Sequence, residues 1–265
     1  MSGARGRAWI ARAGPGPESV TAALSDGLAF VRVALRGGWT LLPDGSAISP
    51  ERAPGLRLDR ALVEALISLG PAASYQLCGR VGGLEGLRDE HGGRVVVRPS
   101  RSSRVYRYQL SVAAGTDGEP LWSRLAAPAA LYHADRVAAL VRLRGLPDGD
   151  PFHGALRAIA RAVPAPSVGV GVLGQPAGDP RRFVEPLELA DPDLVVVDAR
   201  EIGWGGDEIT QATHPLGAII VADSACAAEL ACCALLGVDP ATLPALQLAA
   251  ARGLGPGRLE DLELE

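Results

Sequence analysis

Apolar positions along the chain fall into short runs separated by glycine and proline, and the runs switch between two periods. Continuous or alternating apolar runs rich in β-branched residues predict strands at "LAFVRVAL" (28–35), "ASYQLC" (73–78), "GRVVVRP" (93–99), "RVYRYQLSVA" (104–113), "RVAALVRLRG" (136–145), "DLVVVDA" (193–199) and "GAIIVAD" (217–223). Helical spacing predicts "DRALVEALISLG" (59–70), where Asp59 can cap, Leu62, Leu66 and Leu69 share a face, and Gly70-Pro71 stops the turn. It also predicts "PFHGALRAIARAV" (151–163), with Phe152, Leu156, Ile159 and Val163 on one stripe. "SACAAELACCALLG" (224–237) and "PATLPALQLAAARGLG" (240–255) complete the helices.

Strands alternating with helices, and strands apolar on both faces, define the expected class: α/β, a mainly parallel sheet covered by helices, Rossmann-like in its layering. Residues 1–17, rich in Gly, Pro, Arg and Ala, read as a flexible arm, and 18–265 as a single α/β domain. "GVGVLG" (169–174) matches G-x-G-x-x-G, yet Pro176 and Pro180 forbid the helix that must follow it. The run therefore reads as a strand and turn without a true dinucleotide fingerprint, which argues against NAD.

Composition narrows the chemistry. All 26 basic residues are Arg. A chain without Lys has no Schiff-base lysine, hence no PLP, and no P-loop lysine; anions must be held by Arg, backbone N–H groups or helix N-termini. The Arg, Ala, Gly and Pro excess fits a high-GC bacterial genome. A net charge of −4 speaks against nucleic acid and anionic lipid. Arg94, Arg98, Arg101, Arg104 and Arg107, with Tyr106 and Tyr108, read more simply as a solvated edge strand than as a nucleic-acid patch. Asp223 and Glu229 interrupt the longest apolar run (216–238), so no membrane span is expected. The first residues lack the apolar core of a secretory signal, and a soluble cytoplasmic protein is expected. Cys78, Cys226, Cys232 and Cys233 contain no C-x-x-C, which leaves small core thiols and no iron–sulfur cluster.

Candidate chemistry gathers between 193 and 237. Asp198 ends an apolar strand, where open α/β sheets bind ligands. Gly203, Gly205 and Gly206 would let a loop backbone approach a ligand closely, and Asp207 and Glu208 follow. Asp198, Asp207 and Glu208 are the ligands a divalent cation would use, if any metal binds. His214 is the one histidine inside this stretch. Ser224 can cap a helix whose N-terminus would face an anion. Glu229 lies among Ala and Cys and must have a partner if buried: an Arg, backbone groups or a ligand.

The segment "LVVVDA…GWGG…PLGAIIVADSACAAELACCALLGVDPATLPALQLAAARGLG" resembles the C-terminal half of the domain-of-unknown-function 362 family, with Gly237, Asp239, Pro240 and Gly253-Leu254-Gly255 in register. A fainter likeness reaches back to residue 28, where "VALRGGW" (33–39) stands in place of a strand running into K-P-N. Arg36 thus falls at a family lysine, Ser224-Ala225 at an Asp-Pro, Glu229 at a helix Asp and Trp204 at a loop acid. The family's ferredoxin-like cysteine cluster has no counterpart. The resemblance implies a kept frame with altered polar residues. Two functions are compatible with it: a domain, enzymatic or purely binding, that takes a small molecule or metal at the strand ends, or a degenerate accessory partner of a neighbouring enzyme.

Overall fold

The computed structural model describes residues 5–44, 60–79, 84, 86–99, 105–108, 121, 125–146, 151–163, 179–204 and 212–265. Its strands are β1 (Gly6–Arg12), β2 (Gly37–Pro43), β3 (Ala73–Gly79), β4 (Val95–Pro99), β5 (Val105–Tyr108), β6 (Leu125–Pro128), β7 (Arg136–Gly145), β8 (Phe152–His153), β9 (Leu194–Trp204), β10 (Ala212–Ala222) and β11 (Leu262–Leu264). The helices are α1 (Pro17–Val31), α2 (Arg60–Leu69), α3 (Leu87–His91), α4 (Ala129–Tyr132), α5 (Ala155–Ala162), α6 (Arg181–Ala190), α7 (Ala225–Leu236) and α8 (Pro244–Ala251). One sheet runs in the order β11-β1-β10-β9-β7-β2-β3-β4, with β8 added to the end of β7, while β5 and β6 form a separate ribbon. The centre, β9-β7-β2-β3-β4, is parallel throughout. The protein is therefore a mainly parallel α/β structure.

Sequence dictates this centre. Along β7, Ala139, Val141 and Leu143 join one core and Ala138 and Leu140 the other; β9 divides its residues the same way. Strands buried on both faces need helices on both faces, which is the condition parallel crossovers meet. α1 and α2 cover one face, and α5, α6, α7 and α8 the other. α7 is buried along nearly its whole length, and its Ala and Cys side chains are small enough to permit that. Ser224 Oγ accepts the Ala227 N–H at 3.2 Å, and Gly237 closes the helix in the left-handed conformation.

Three expectations change. Residues 28–31 end α1 rather than begin a strand: Pro17 starts the helix, and Val20, Ala23, Leu24, Gly27, Leu28 and Val31 form its buried stripe. The β-branched residues of "LAFVRVAL" concealed this helical period. The arm expected over 1–17 contains β1, which pairs with β10 and β11. Phe152 and His153 form β8 before α5 begins. "GVGVLG" lies outside the described residues.

The direction of β10 matters most for the site. β9 and β10 are antiparallel, with Ile219 opposite Asp198 and Ala222 opposite Val195; a bulge lies between Pro215 and Ala218, around Gly217 at φ 65°. The C-terminal ends of β2, β7 and β9 consequently share one rim, while the C-terminal end of β10 points to the other. Among the described residues no helix is long and apolar enough to cross a membrane.

Helix α1 approaches β10 closely enough that a Cβ on Gly27 would sit 2.6 Å from Val221 Cγ2. Gly27→Ala is expected to destabilise the fold by about 1–3 kcal/mol through overpacking, read as a lower urea midpoint at unchanged slope. An unchanged midpoint would show that α1 can slide on the sheet.

Candidate functional site

Arginine occupies alternate positions, 142 and 144, at the end of β7. Both side chains are buried, and neighbouring strands supply the acids that make this tolerable. Arg142 pairs across the parallel register with Asp198 of β9, Nη1 to Oδ2 at 3.0 Å. Asp198 also accepts from Arg200, Nε to Oδ1 at 3.0 Å and Nη2 to Oδ2 at 2.9 Å. Asp198 is 0% exposed. Burial would raise its pKa, but the hydrogen bonds from Arg200 and the charge of Arg142 outweigh burial and hold the carboxyl below its ordinary range. Arg142 Nη2 reaches on to Glu201 at 3.4 Å, whose side chain is 62% exposed, so the cluster meets solvent there. Among the described residues Arg142 Nε finds no hydrogen-bond acceptor.

A second half adjoins. Asp44 follows β2 directly, its N–H held by the Leu140 carbonyl of β7 at 2.7 Å. The short strand β8 folds back on β7 so that His153 lies opposite Arg144. His153 Nε2 is 2.9 Å from Asp44 Oδ2 and 3.2 Å from Arg144 Nη2, and Arg144 is 3.9 Å from Asp44 Oδ1. A guanidinium can only donate and a carboxylate only accept. Burial alone would raise the Asp44 pKa, yet its contact with His153 and the charges of Arg144 and Arg161 keep it well below the ordinary range. Burial lowers the pKa of His153. Nε2 cannot donate to Asp44 and accept from Arg144 at once. The shorter contact assigns a neutral imidazole whose Nε2–H donates to ionised Asp44, with the proton off Nδ1 and the Arg144 guanidinium lying beside the ring without a hydrogen bond to Nε2.

Glu229 lies on the opposite face of the sheet. Its Oε2 accepts the Leu156 N–H at 3.3 Å, at the first turn of α5. Burial raises its pKa to about 7, against the N–H groups of Leu156 and Ala155 and the charge of Arg157. The partner that the sequence demanded is thus a helix N-terminus.

The residues singled out in the sequence separate. Asp198 belongs to the arginine cluster, but it lies within β9, which continues to Trp204, and does not end the strand as expected. Gly203 lies within β9, in register with Arg144, and not in a loop. His214 is an exposed residue of β10, opposite Ile202. Ser224 caps α7 on the opposite rim, because β10 runs antiparallel to β9. Arg36 is exposed before the start of β2, also away from Asp44. Gly205, Gly206, Asp207 and Glu208 lie outside the described residues, and with them most of the metal set considered for Asp198. Among the described residues no group of three or more His, Cys, Asp or Glu could hold a metal. Sequence reasoning missed Asp44, Arg142, Arg144, His153 and Arg200. Two arginines at alternate positions of an apolar strand were an available local signal.

No family model matches the chain, and no curated protein matches it. Among solved structures it is similar to a Thermotoga maritima protein, at 13% identity and TM-score 0.44, covering 89% of this chain and 59% of that one. It is also similar to the lactate racemase apoprotein of Thermoanaerobacterium thermosaccharolyticum, at 12% identity and TM-score 0.43, covering 76% of this chain and 49% of that one. The chain spans 59% and 49% of the lengths of these two structures.

Two stability measurements probe the charges. Asp198→Asn is expected to cost about 3 kcal/mol at neutral pH by leaving two buried guanidinium groups undercompensated. The wild-type advantage is present above the ordinary carboxyl value of 3.8 and is lost as pH falls through the lower folded value, so the two denaturation curves should converge in acid. Glu229 has the opposite sign. Its carboxyl binds its proton more tightly when folded, so wild-type stability falls between pH 4.5 and about 7. Glu229→Gln should gain up to about 3 kcal/mol over wild type at pH 8 and nothing below pH 4. A pH-independent difference would contradict ionisation of Glu229 in its buried place.

Proposed function

We propose that the protein binds a small anionic molecule, a carboxylate or phosphate, on the rim formed by the C-terminal ends of β2, β7 and β9. The observation that carries this reading is the buried assembly of Arg142, Arg144 and Arg200 around Asp44 and Asp198, with His153 against Asp44 and Arg144. Among these buried ionisable groups the guanidinium groups outnumber the carboxylates. Apolar residues of similar volume would serve stability as well or better at such positions, so the cluster is better explained by what it recognises. Arginine is the side chain suited to carboxylate and phosphate, and strand C-termini are where open α/β sheets place ligands.

The same pairs favour binding over a reaction run by these acids. Asp198 and Glu201 are already engaged by arginine, as in an accessory or degenerate relative of an enzyme. The likeness to the domain-of-unknown-function 362 family belongs to this proposal as a shared strand–loop–strand–helix frame over 194–255.

Calorimetric and thermal-shift titrations with inorganic phosphate and with acetate test it. One of the two should raise the melting temperature saturably, as expected for a ligand that binds only the folded state. Arg142→Gln should weaken that binding at least about tenfold with the fold retained, since a charged partner is lost. Absence of binding by both anions, or equal binding by Arg142→Gln, refutes the rim as an anion site.

A further inference from the structure

α5 begins without a cap of its own. Its N-cap residue is Gly154, which has no side chain to offer the first N–H groups, and no side-chain cap bond is made from that position. The acceptor comes from another helix: Glu229, near the middle of α7, receives the Leu156 N–H at 3.3 Å and interacts with the Ala155 N–H. A Cβ on residue 154 would overlap the Glu229 carboxylate and crowd the Phe152 ring. Glycine thus leaves room for the carboxylate where it stands, while its φ of −109° is one that other residues adopt. His153 is the residue immediately before this glycine, and it meets Asp44 and Arg144 through β8. Hence the carboxyl of Glu229 and the imidazole of His153 sit on either side of a single peptide corner. Glu229 is buried on the α5–α8 face, and His153 belongs to the rim.

We propose that Glu229 is a positioning residue for His153: its carboxyl caps α5 from α7 and fixes the Phe152–Gly154 corner that delivers His153 to Asp44 and Arg144. This rests on the reading of the rim as a binding site, and it gives that site a link to the opposite core. Among the described residues the charged and titratable groups facing Glu229 are few. Arg157 of α5 lowers its pKa, and Cys226, Cys232 and Cys233 of its own helix stay protonated because burial raises their pKa values. Among the described residues no arginine is within ion-pair distance of it, and the cap is carried by the backbone N–H groups and by the partial positive charge of the helix start. Ionisation strengthens those bonds while incurring the cost of a buried charge. The carboxyl that holds the corner therefore has a neutral and an ionised form, since burial raises its pKa to about 7.

Imidazole NMR of the full chain tests this link. The protein has 4 histidines, so the His153 signal is assigned by its disappearance in His153→Gln. In the wild type it should report a neutral ring protonated on Nε2, with a chemical-shift step near pH 7 as Glu229 ionises. Glu229→Gln keeps an acceptor for the α5 N–H groups and should retain the tautomer but abolish the step. Glu229→Ala and Gly154→Ala should shift or broaden the signal at every pH. A His153 signal with the same tautomer and the same pH course in Glu229→Gln as in wild type overturns the proposal, and that outcome decides it even if Glu229→Ala fails to fold. Phosphate calorimetry on the same proteins separates the two readings. Binding weakened about tenfold in Glu229→Ala, and restored in Glu229→Gln, is the expected result for a residue acting through a ligand-contacting group. A wild-type protein that binds no phosphate fails the rim reading for that anion, whereas the NMR step judges the Glu229–His153 link by itself.

Discussion

Arg142 and Arg144 stand in a strand buried on both faces, and the cost of placing two guanidinium groups there constrains everything around them. Desolvation of an ion this size costs several kcal/mol even after the surroundings relax. The compensation cannot come from within β7, whose other buried positions are Ala, Val, Leu and Gly. It has to come from the adjacent strands at matching height. That requirement fixes Asp198 on β9 opposite Arg142, and Asp44 at the end of β2 near Arg144. Parallel pairing of β2, β7 and β9 is what brings those acids to one rim. A slip of one residue in either neighbour would turn each acid to the other face and leave the guanidinium groups uncompensated. The charge pattern thus specifies register as well as chemistry.

The reversal of β10 then separates functions that a single apolar pattern had joined. Because β10 returns antiparallel to β9, α7 starts on the far rim, with Ser224 satisfying its first turn, and runs back over the sheet. Small side chains along α7 let it lie deep against β9 and β10. That depth carries Glu229 to the start of α5. A larger residue at any of the buried Ala or Cys positions would lift the helix and withdraw the carboxylate from Ala155 and Leu156. Close packing of α7 and capping of α5 are therefore one structural problem solved together.

How much of this was legible follows from the range of each interaction. β7 is readable to its ends, and so is α7, since a Ser cap, a run of small apolar residues and a closing Gly are local signals. The α/β class follows from strands apolar on both faces. Strand direction is not local: a strand buried on both faces reads the same either way, so "GAIIVAD" could not reveal that β10 turns back. The stretch 28–31 failed for a related reason, because Leu28 and Val31, which suit a strand, also fit the buried stripe of α1. Asp198 was visible as an acid in an apolar strand, though not the continuation of β9 past it to Trp204. Asp44 and His153 were not, since their partnership depends on β2 lying beside β7 across 109 residues of sequence. Nothing in "LLPDG" or "PFHG" alone distinguishes these residues from turn formers.

Glu229 shows where burial argument succeeds before structure is known. A lone carboxyl among Ala and Cys implied a partner, and the options were an arginine, backbone donors or a ligand. Arginine was the simplest expectation in a chain whose every basic residue is Arg, but a guanidinium is bulky and would have to be accommodated between α5 and α7. Backbone N–H groups need no such room. A helix start supplies them already oriented, provided the residue ahead of it is small, and Gly154 meets that condition. The glycine, the acid and the missing side-chain cap are three features of one contact, and each is intelligible only with the other two. A contact so specified restricts the chain on both sides of it, and the residue on its outer side is His153.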